Sequence, residues 1–261
     1  MSCLVEQAKI LMDEAEENNL SDKALEERWR RWDTCSLCEQ WYHGVVACAL
    51  GWACWKTYLR RPETDQARDL AMDLLGKGLD EANKVSEALK VSRVHLATIE
   101  RVRPNDMQAL LNCKQNLAYA CGKNGQVEEA LSTRREVHSI AKAALGPLHV
   151  FTINSALNLA CSLREVSLAE CMSLVRETMP IANRVFGADH EIPLRFVWTY
   201  GDCIIESDET KLSQDDMLEA IVTLEEGFRR SRRVMGPQHP ITRNLDGRLA
   251  RVREKKQIAQ H

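Results

Sequence analysis

Two cysteines, Cys35 and Cys38 in the stretch CSLCEQWYHG, are the residues whose type and spacing come closest to a known chemistry. A CxxC pair supplies two thiolates to one tetrahedral zinc ion, and a structural zinc site needs two more ligands. His43 and Cys48 are near in sequence, but both lie where the next helix is predicted to start. Two interpretations therefore stay open: half of a zinc site, or two thiols packed in a helical cap.

The residues around this pair give it a context. Cys3 in SCLVEQAK, a helical stretch, and then Trp32 in WDTCSLCEQWY together resemble the C-terminal half of a RING-CH type zinc finger. The resemblance implies metal-ligand roles for Cys3, Cys35 and Cys38, with Cys3 belonging to a different zinc ion from the other two. The family's preceding His and leading cysteines have no counterpart here, so the resemblance implies a truncated or degenerate finger with incomplete sites.

No other pattern supports catalysis or a cofactor. The sequence has no GxGxxG, GxxxxGK[ST], HExxH or GxSxG motif. Its ten cysteines and seven histidines allow many Cys-His pairings, so no single pairing is informative. We therefore predict no enzyme, no catalytic residue and no cofactor, with zinc bound only if the finger were completed.

The elements that position these residues are helical. Apolar residues recur at helical spacing over 2–17, a second helix is predicted over 24–32, and a third over 44–58, in which Trp52, Trp55 and Tyr58 are expected to form a core stripe. Low aromatic content, at 5%, with abundant Ala, Leu, Glu and Arg also favours helices over sheets.

A repeated pattern then organises the chain. Each copy has a Leu or Tyr followed by a small residue, which is expected to let a second helix approach closely, then a polar turn and that second helix. The pairs are Leu75-Gly76, Leu117-Ala118, Leu159-Ala160 and Tyr200-Gly201, at spacings of 42, 42 and 41 residues. The turns are predicted at 83–84, 124–125, 166–167 and, with an insertion, 206–214. A period of this size indicates a solenoid of helix pairs.

A second phrase recurs between copies, in ALGPLHVFT, VFGADHEIP and VMGPQHPIT. The glycines at 146, 187 and 236 fit left-handed helix ends, and Thr152, Pro193 and Thr242 fit the start of the next helix. The histidines at 149, 190 and 239 occur once per repeat, so they cannot converge on one metal ion. We predict a structural role for them.

The period, the NLA triplets at 116–118 and 158–160 and the LGxxH phrase resemble the tetratricopeptide repeats (TPR) of the kinesin light chain type. The resemblance implies an all-α, right-handed superhelical solenoid. The predicted domains are a helical cap over 1–61, which includes the finger remnant, and a repeat region over 62–261 with about four helix pairs and a terminal capping helix.

Stacks of this type bind extended peptides or helices in a concave groove lined by the first helix of each pair. The resemblance therefore implies binding by the polar and aromatic side chains near each Leu or Tyr marker. These are Asn112, Gln115, Asn116, Tyr119, Asn154, Asn158, Arg195, Trp198 and Asp202. Asn side chains suit this role because they donate to and accept from a peptide backbone.

Composition limits the partner class. The chain has 35 basic and 38 acidic residues, which gives no overall case for nucleic acid. Its basic end, 228–261, either meets an acidic partner or is a solvated helix, and with Phe228 as its only aromatic it lacks a stacking surface for RNA. No stretch reaches the roughly 20 apolar residues of a membrane helix. The cysteines, with no secretory signal before them, predict an intracellular, cytoplasmic protein with reduced thiols.

We therefore expect a scaffold or adaptor that binds a protein or peptide partner, with no nucleic acid and no membrane. The alternative is the substrate-recognition part of a ubiquitin-protein ligase whose zinc finger is incomplete in this chain. A helical-repeat RNA-binding protein is a third option, which strongly salt-dependent RNA retention would reveal.

Overall fold

The computed structural model describes residues 2–208 and 212–258, and regular structure there is helical apart from one isolated β-bridge between Thr34 and Trp41. The predicted all-α class built from helix-turn-helix repeats is confirmed. The predicted long turn at 206–214 includes residues 209–211, which lie outside the described residues.

The N-terminal elements are α1 (Ser2–Glu17), α2 (Asp22–Trp29), a 3-10 turn at Arg30–Trp32 and α3 (Gly44–Tyr58). The next helices are α4 (Gln66–Glu81), α5 (Val85–Val102), α6 (Met107–Lys123) and α7 (Val127–Leu145). The last are α8 (Val150–Val166), α9 (Leu168–Phe186), α10 (Glu191–Glu206), α11 (Gln214–Val234) and α12 (Pro240–Ile258). The pairs α4/α5, α6/α7, α8/α9 and α10/α11 are the four predicted repeats, and α12 is the charged terminal helix.

The turns inside the pairs follow the local chemistry of the chain. Asn83 and Gly125 adopt positive φ, at 58° and 80°, which Asn and Gly tolerate better than other residues. Ser167 caps α9, and Ser213 forms a full capping box with Asp216 at the start of α11. These caps satisfy backbone N–H groups that have no partner within the helix.

The recurring phrase between repeats ends one helix and begins the next. Gly146, Gly187 and Gly236 have φ of 83°, 84° and 86°, so the positive φ expected of glycine at these helix ends is confirmed. The ψ of Gly187 is 141°, which lies outside the left-handed helical region, so the predicted left-handed cap is wrong at this residue. The next helix begins earlier than predicted in all three places. His149 and His190, not Thr152 and Pro193, are N-cap residues, and α12 begins at Pro240 rather than at Thr242. The Nδ1 atoms of His149, His190 and His239 accept from the backbone N–H two residues later, at 3.2, 3.2 and 3.3 Å. The predicted structural role of the histidines is therefore confirmed.

The chain divides into two compact units, Met1–Ala130 and Leu131–His261. In the first unit, α1, the 3-10 turn, α3 and α4 share a core around Trp32 and Tyr58, both 1% exposed. Smaller apolar clusters join α3, α4 and α5, and then α5, α6 and the first turn of α7. The boundary after residue 61 stays a prediction.

The expected aromatic core stripe of α3 holds only in part. Tyr58 is buried, Trp55 is half-buried, and Trp52 is 38% exposed, so the expectation that Trp52 is a core residue is wrong. The face of α3 that meets α4 carries Gly51 instead. A Cβ on Gly51 would lie 2.9 Å from the Leu74 carbonyl oxygen, and one on Gly78 would lie 2.6 Å from that of Ala47. The two helices are in backbone contact at these glycines.

In the second unit one apolar core runs through α8 to α12 and includes Ile153, Phe196, Tyr200 and Leu245. The predicted close approach at the small residue of each pair is confirmed at Gly201, where a Cβ would lie 2.9 Å from Leu224 Cδ2 on α11. It is wrong at Gly76, where the nearest side-chain atom would be at an ordinary 3.7 Å.

All ten cysteines are free thiols. Of the helices described, none combines the length and the apolar character needed to span a membrane.

Candidate peptide-binding site

The CxxC pair lies in a short hairpin between the 3-10 turn and α3. Cys35 N–H donates to the Gln40 carbonyl oxygen at 2.9 Å, and Glu39 N–H donates to the Cys35 carbonyl oxygen at 2.9 Å. Glu39 adopts a φ of 57°, which lets the chain reverse tightly. Tyr42 N–H donates to the Asp33 carbonyl oxygen at 2.8 Å and closes the hairpin beyond the Thr34–Trp41 bridge.

This hairpin turns backbone amides toward one thiol. The pKa of Cys35 is lowered, first by the backbone N–H groups of Cys38 and Leu37 and then by the Cys38 and Tyr42 side chains. Amide donors that stabilise a thiolate are a feature of metal-binding and reactive cysteines. Cys35 and Cys38 therefore lie close together in the hairpin, and a metal-ligand role for them stays a prediction.

A complete zinc site is not formed by these residues. Cys3 is exposed on the first turn of α1 and Cys38 is exposed at the hairpin tip. Throughout residues 2–208 and 212–258, no group of three or more His, Cys, Asp or Glu side chains is arranged to hold a metal ion. Two thiolates do not fit the four-ligand requirement of structural zinc.

Beside the hairpin, the first unit contains a cavity of about 360 Å³. Its walls come from the hairpin and the C-terminal half of α4, with α5 and α6 on the other sides. Its polar and aromatic lining residues include Asp33, Trp41, Tyr42, Asp73, Lys77, Asp80, Glu81, Asn116, Tyr119 and Lys123. A cavity of this size is within the usual range for small-molecule and side-chain pockets.

Two of the predicted groove residues line this cavity. Asn116 donates from Nδ2 to Asp73 Oδ1 at 2.6 Å, and Tyr119 donates from its hydroxyl to Asp80 Oδ2 at 3.0 Å. Burial first, and then the hydrogen bond to Asp80 and its charge, raise the pKa of Tyr119. These bonds join α6 to α4 and fix both side chains, while Asn116 Oδ1 forms no hydrogen bond with the described residues.

The other two predicted residues of α6 lie outside the cavity wall. Asn112 is exposed and accepts from Gln108 Nε2 at 3.2 Å. Gln115 is half-buried, and its Oε1 is buried without a hydrogen-bond partner among the described residues. Helix α6 therefore presents Asn116 and Tyr119 to the cavity, one turn from Asn112.

The hairpin is fastened to α4 by a polar contact. His43 Nδ1 lies 3.1 Å from Glu81 Oε2, and Gly44 N–H donates to the same oxygen at 3.4 Å. This contact holds Trp41 and Tyr42 at the cavity. Trp41 is 58% exposed, so it forms part of the cavity wall that solvent reaches.

In the second unit, Asn154 and Asn158 are half-buried on α8. The Asn158 carbonyl oxygen accepts from Arg134 Nη1 at 3.0 Å, and the same Arg134 atom donates to Ser162 Oγ. The backbone at Asn158 is therefore held by Arg134 of α7.

The predicted residues of α10 belong to an ion-pair network. Asp202 is 5% exposed and pairs with Arg164 of α8 at 2.6 Å and with Arg248 of α12 at 2.6 Å. Trp198 Nε1 donates to Asp202 at 2.9 Å, and the Arg248 guanidinium lies 4.4 Å from the Trp198 ring centroid. Arg195 is half-buried and pairs with Glu191 at 4.0 Å. Asp202 is thus enclosed by its own partners.

Sequence reasoning missed Asp33, Trp41 and Tyr42 as cavity residues. Their signal was local: an acid and two aromatics flank the CxxC pair in DTCSLCEQWY, with no apolar periodicity that would place them in a core. Lys77 was also missed, although its ion pair with Asp73 at 2.6 Å joins residues four apart on α4, a spacing that the sequence shows.

Comparison with known proteins supports the fold. No protein-family profile matches the chain, and no curated protein matches its sequence. A crystal structure of a kinesin light chain-like protein of Podosopora anserina with nearly identical TPR-like repeats gives a TM-score of 0.56 at 17% identity, over 90% of this chain and 97% of that chain. BtubC (BKLC) of P. vanneervenii gives a TM-score of 0.51 at 11% identity, over 82% of this chain and 91% of that chain.

These similarities define the class: an all-α protein of TPR-like repeats, similar in structure to proteins of the kinesin light chain type.

Proposed function

We propose that this protein is an interaction scaffold that binds a peptide segment of a partner protein, with the cavity of the first unit as an anchor site. Affinity comes from a buried anchor side chain and from polar groups that hold the peptide backbone. No covalent step is involved.

The observation that carries the proposal is the pair Asn116 and Tyr119 at the cavity wall. Their hydrogen bonds to Asp73 and Asp80 fix both side chains before binding, which reduces the entropy lost when a peptide docks. The free Asn116 Oδ1 can accept from a peptide N–H. The second unit contributes Asn154 and Asn158 to the same proposed function.

The test is selection of a random 10-residue peptide library on the full chain, followed by affinity measurement. We expect Asn116→Ala combined with Tyr119→Ala to weaken the selected peptide by about tenfold, the equivalent of ~1.4 kcal/mol. Lys90→Ala is the matched control, because Lys90 is exposed on α5 and outside the cavity. Selection of no peptide, or equal binding by the double variant with unchanged stability, contradicts the proposal.

A separate double variant tests whether the second unit contributes to binding. We expect Asn154→Ala with Asn158→Ala to weaken binding of a peptide selected on the full chain if the second unit also takes part in binding. Loss of affinity in the first-unit variant alone restricts the site to the cavity.

The hairpin favours one second candidate, the substrate-recognition part of a ubiquitin-protein ligase. Its backbone donates two amides toward Cys35 and holds Cys38 beside it, the arrangement that half of a zinc finger needs. Metal analysis of the purified chain tests this candidate. Two tightly bound zinc ions per chain would support a complete zinc finger. Substoichiometric zinc that a mild chelator removes would indicate a remnant of a finger without complete sites.

A further inference from the structure

The charges around the cavity are unequal. Four carboxylates line it, those of Asp33, Asp73, Asp80 and Glu81, against two lysines. Lys77 pairs with Asp73 at 2.6 Å and Lys123 lies 3.8 Å from Asp80, so each lysine already has an acidic partner. Glu81 contacts His43. Asp33 is left over.

The Asp33 carboxylate is half-buried and lacks an ionic partner. It accepts a hydrogen bond from Thr34 Oγ1 at 2.8 Å, and no basic side chain of the described residues lies within ion-pair distance of it. Burial raises the pKa of Asp33 despite the Thr34 hydrogen bond and the more distant charges of Lys77 and Arg30. The raised pKa means that its charged form is under-compensated in the free protein.

Aromatic side chains flank the same cavity. Trp41 and Tyr42 come from the hairpin, next to Asp33, and Trp41 is largely exposed. The ring of Tyr119 already has the Lys123 ammonium 5.7 Å from its centroid. The hairpin rings are the aromatic surfaces still open to a further cation, which binds such faces favourably.

We propose that the cavity takes a basic side chain, lysine or arginine, of the bound peptide, with Asp33 as its ion-pair partner and Trp41 and Tyr42 as its flanking surfaces. The inference rests on the proposed function and adds the chemistry of the partner. A cation at this position neutralises the negative charge of Asp33, which no basic side chain of the described residues pairs with. An acidic anchor residue would instead be repelled by the four carboxylates that line the cavity. The partner segment is therefore basic at its anchor position.

The experiment uses the same random peptide library on the full chain and on two variants. The first variant, Asp33→Asn, removes the charge and keeps the shape. Its matched control is Asp13→Asn, since Asp13 is an exposed acid on α1 outside the cavity. Peptides selected on the wild type and on Asp13→Asn are expected to share one Lys or Arg position, which those selected on Asp33→Asn lose.

Affinity of a selected peptide gives the decisive comparison. Replacing its basic residue by the neutral analogue, acetyl-lysine or citrulline, is expected to weaken binding to the wild type about tenfold and to Asp33→Asn less than about twofold. Trp41→Ser is a second variant on an exposed residue, expected to weaken the basic peptide about threefold or more. It keeps the test decisive if Asp33→Asn does not fold, as judged by circular dichroism.

Selected peptides without a shared basic position overturn this inference and leave the proposed function standing. Equal loss on the neutral replacement in the wild type and in Asp33→Asn also overturns it. Selection of no peptide on any variant overturns the proposed function and this inference together.

Discussion

Asp202 illustrates how a residue chosen by repeat position serves the fold. Three side chains from three helices converge on its buried carboxylate: Arg164, Arg248 and Trp198. Removing a buried charge from such a network leaves its partners uncompensated, which costs about 3–5 kcal/mol. We expect Asp202→Asn to lower the free energy of unfolding of the second unit by an amount in this range, measured in urea.

The control for Asp202 is Asp189→Asn. Asp189 pairs with Arg233 at 2.6 Å on the surface, where the Arg233 side chain is 69% exposed. A surface ion pair contributes at most about 1 kcal/mol. Equal effects of the two substitutions would contradict the structural role of Asp202.

The stability of the first unit is expected to depend on pH through the Asp69 carboxyl. Asp69 lies between His95, at 2.5 Å, and Arg103. Burial raises its pKa, but the hydrogen bonds and charges of His95 and Arg103 outweigh burial and lower it from 3.8 overall. A carboxyl with a lowered folded pKa contributes stability above its ordinary value and loses that contribution as pH falls through the folded value. The wild type is therefore expected to lose its advantage over Asp69→Asn below about pH 4 in urea titrations.

An advantage that stays constant from pH 7 to pH 2.5 would contradict the ionised Asp69 pair.

At the scale of elements, the contact of α3 with α4 depends on two glycines. A methyl group at Gly78 would lie 2.6 Å from the Ala47 carbonyl oxygen, so Gly78→Ala must separate the helices. Such overpacking costs about 1–3 kcal/mol, and it also displaces the hairpin that Glu81 holds. We expect lower stability of the first unit and weaker peptide binding.

Gly247→Ala is the matched control, since Gly247 is helical in α12 and, apart from its own stretch of helix, no atom of the described residues lies within 4 Å of the added Cβ. This change is expected to be neutral or to stabilise by up to about 1 kcal/mol, because Ala is the better helix former. Thermal unfolding of both variants compares their stabilities. A Gly78→Ala variant as stable as Gly247→Ala would refute the close contact.

The elements also indicate what sequence can reveal. The bounds of α1 and α3 and the positive φ at Gly146, Gly187 and Gly236 were predictable, because periodicity and glycine conformation are local properties. The backbone contact at Gly51 and Gly78 was not, since it depends on how two helices pack. The hairpin at the cavity was not either, because its attachment joins His43 to Glu81.

At the scale of the molecule, contacts within the protein account for basic residues of the C-terminal region. Arg248 pairs with Asp202, Arg253 pairs with Glu225 at 2.5 Å, and Lys255 donates to the Ile205 carbonyl oxygen at 2.9 Å. These cations close the last repeat against α12. They support the interpretation of a charged capping helix rather than a surface for an acidic partner.

The two units therefore differ in character. The first has a cavity with an uncompensated acid at its wall, and the second has an ion-pair network that is satisfied internally. In the proposed function, a partner peptide is anchored at the cavity of the first unit.

Hydrogen exchange of the full chain, with and without a saturating selected peptide, tests whether the peptide binds at this cavity. We predict slower exchange in the hairpin at 33–43 and in the C-terminal halves of α4 and α6, with little change in α1. Protection confined to the second unit, or no protection at the hairpin with peptide bound, would contradict it.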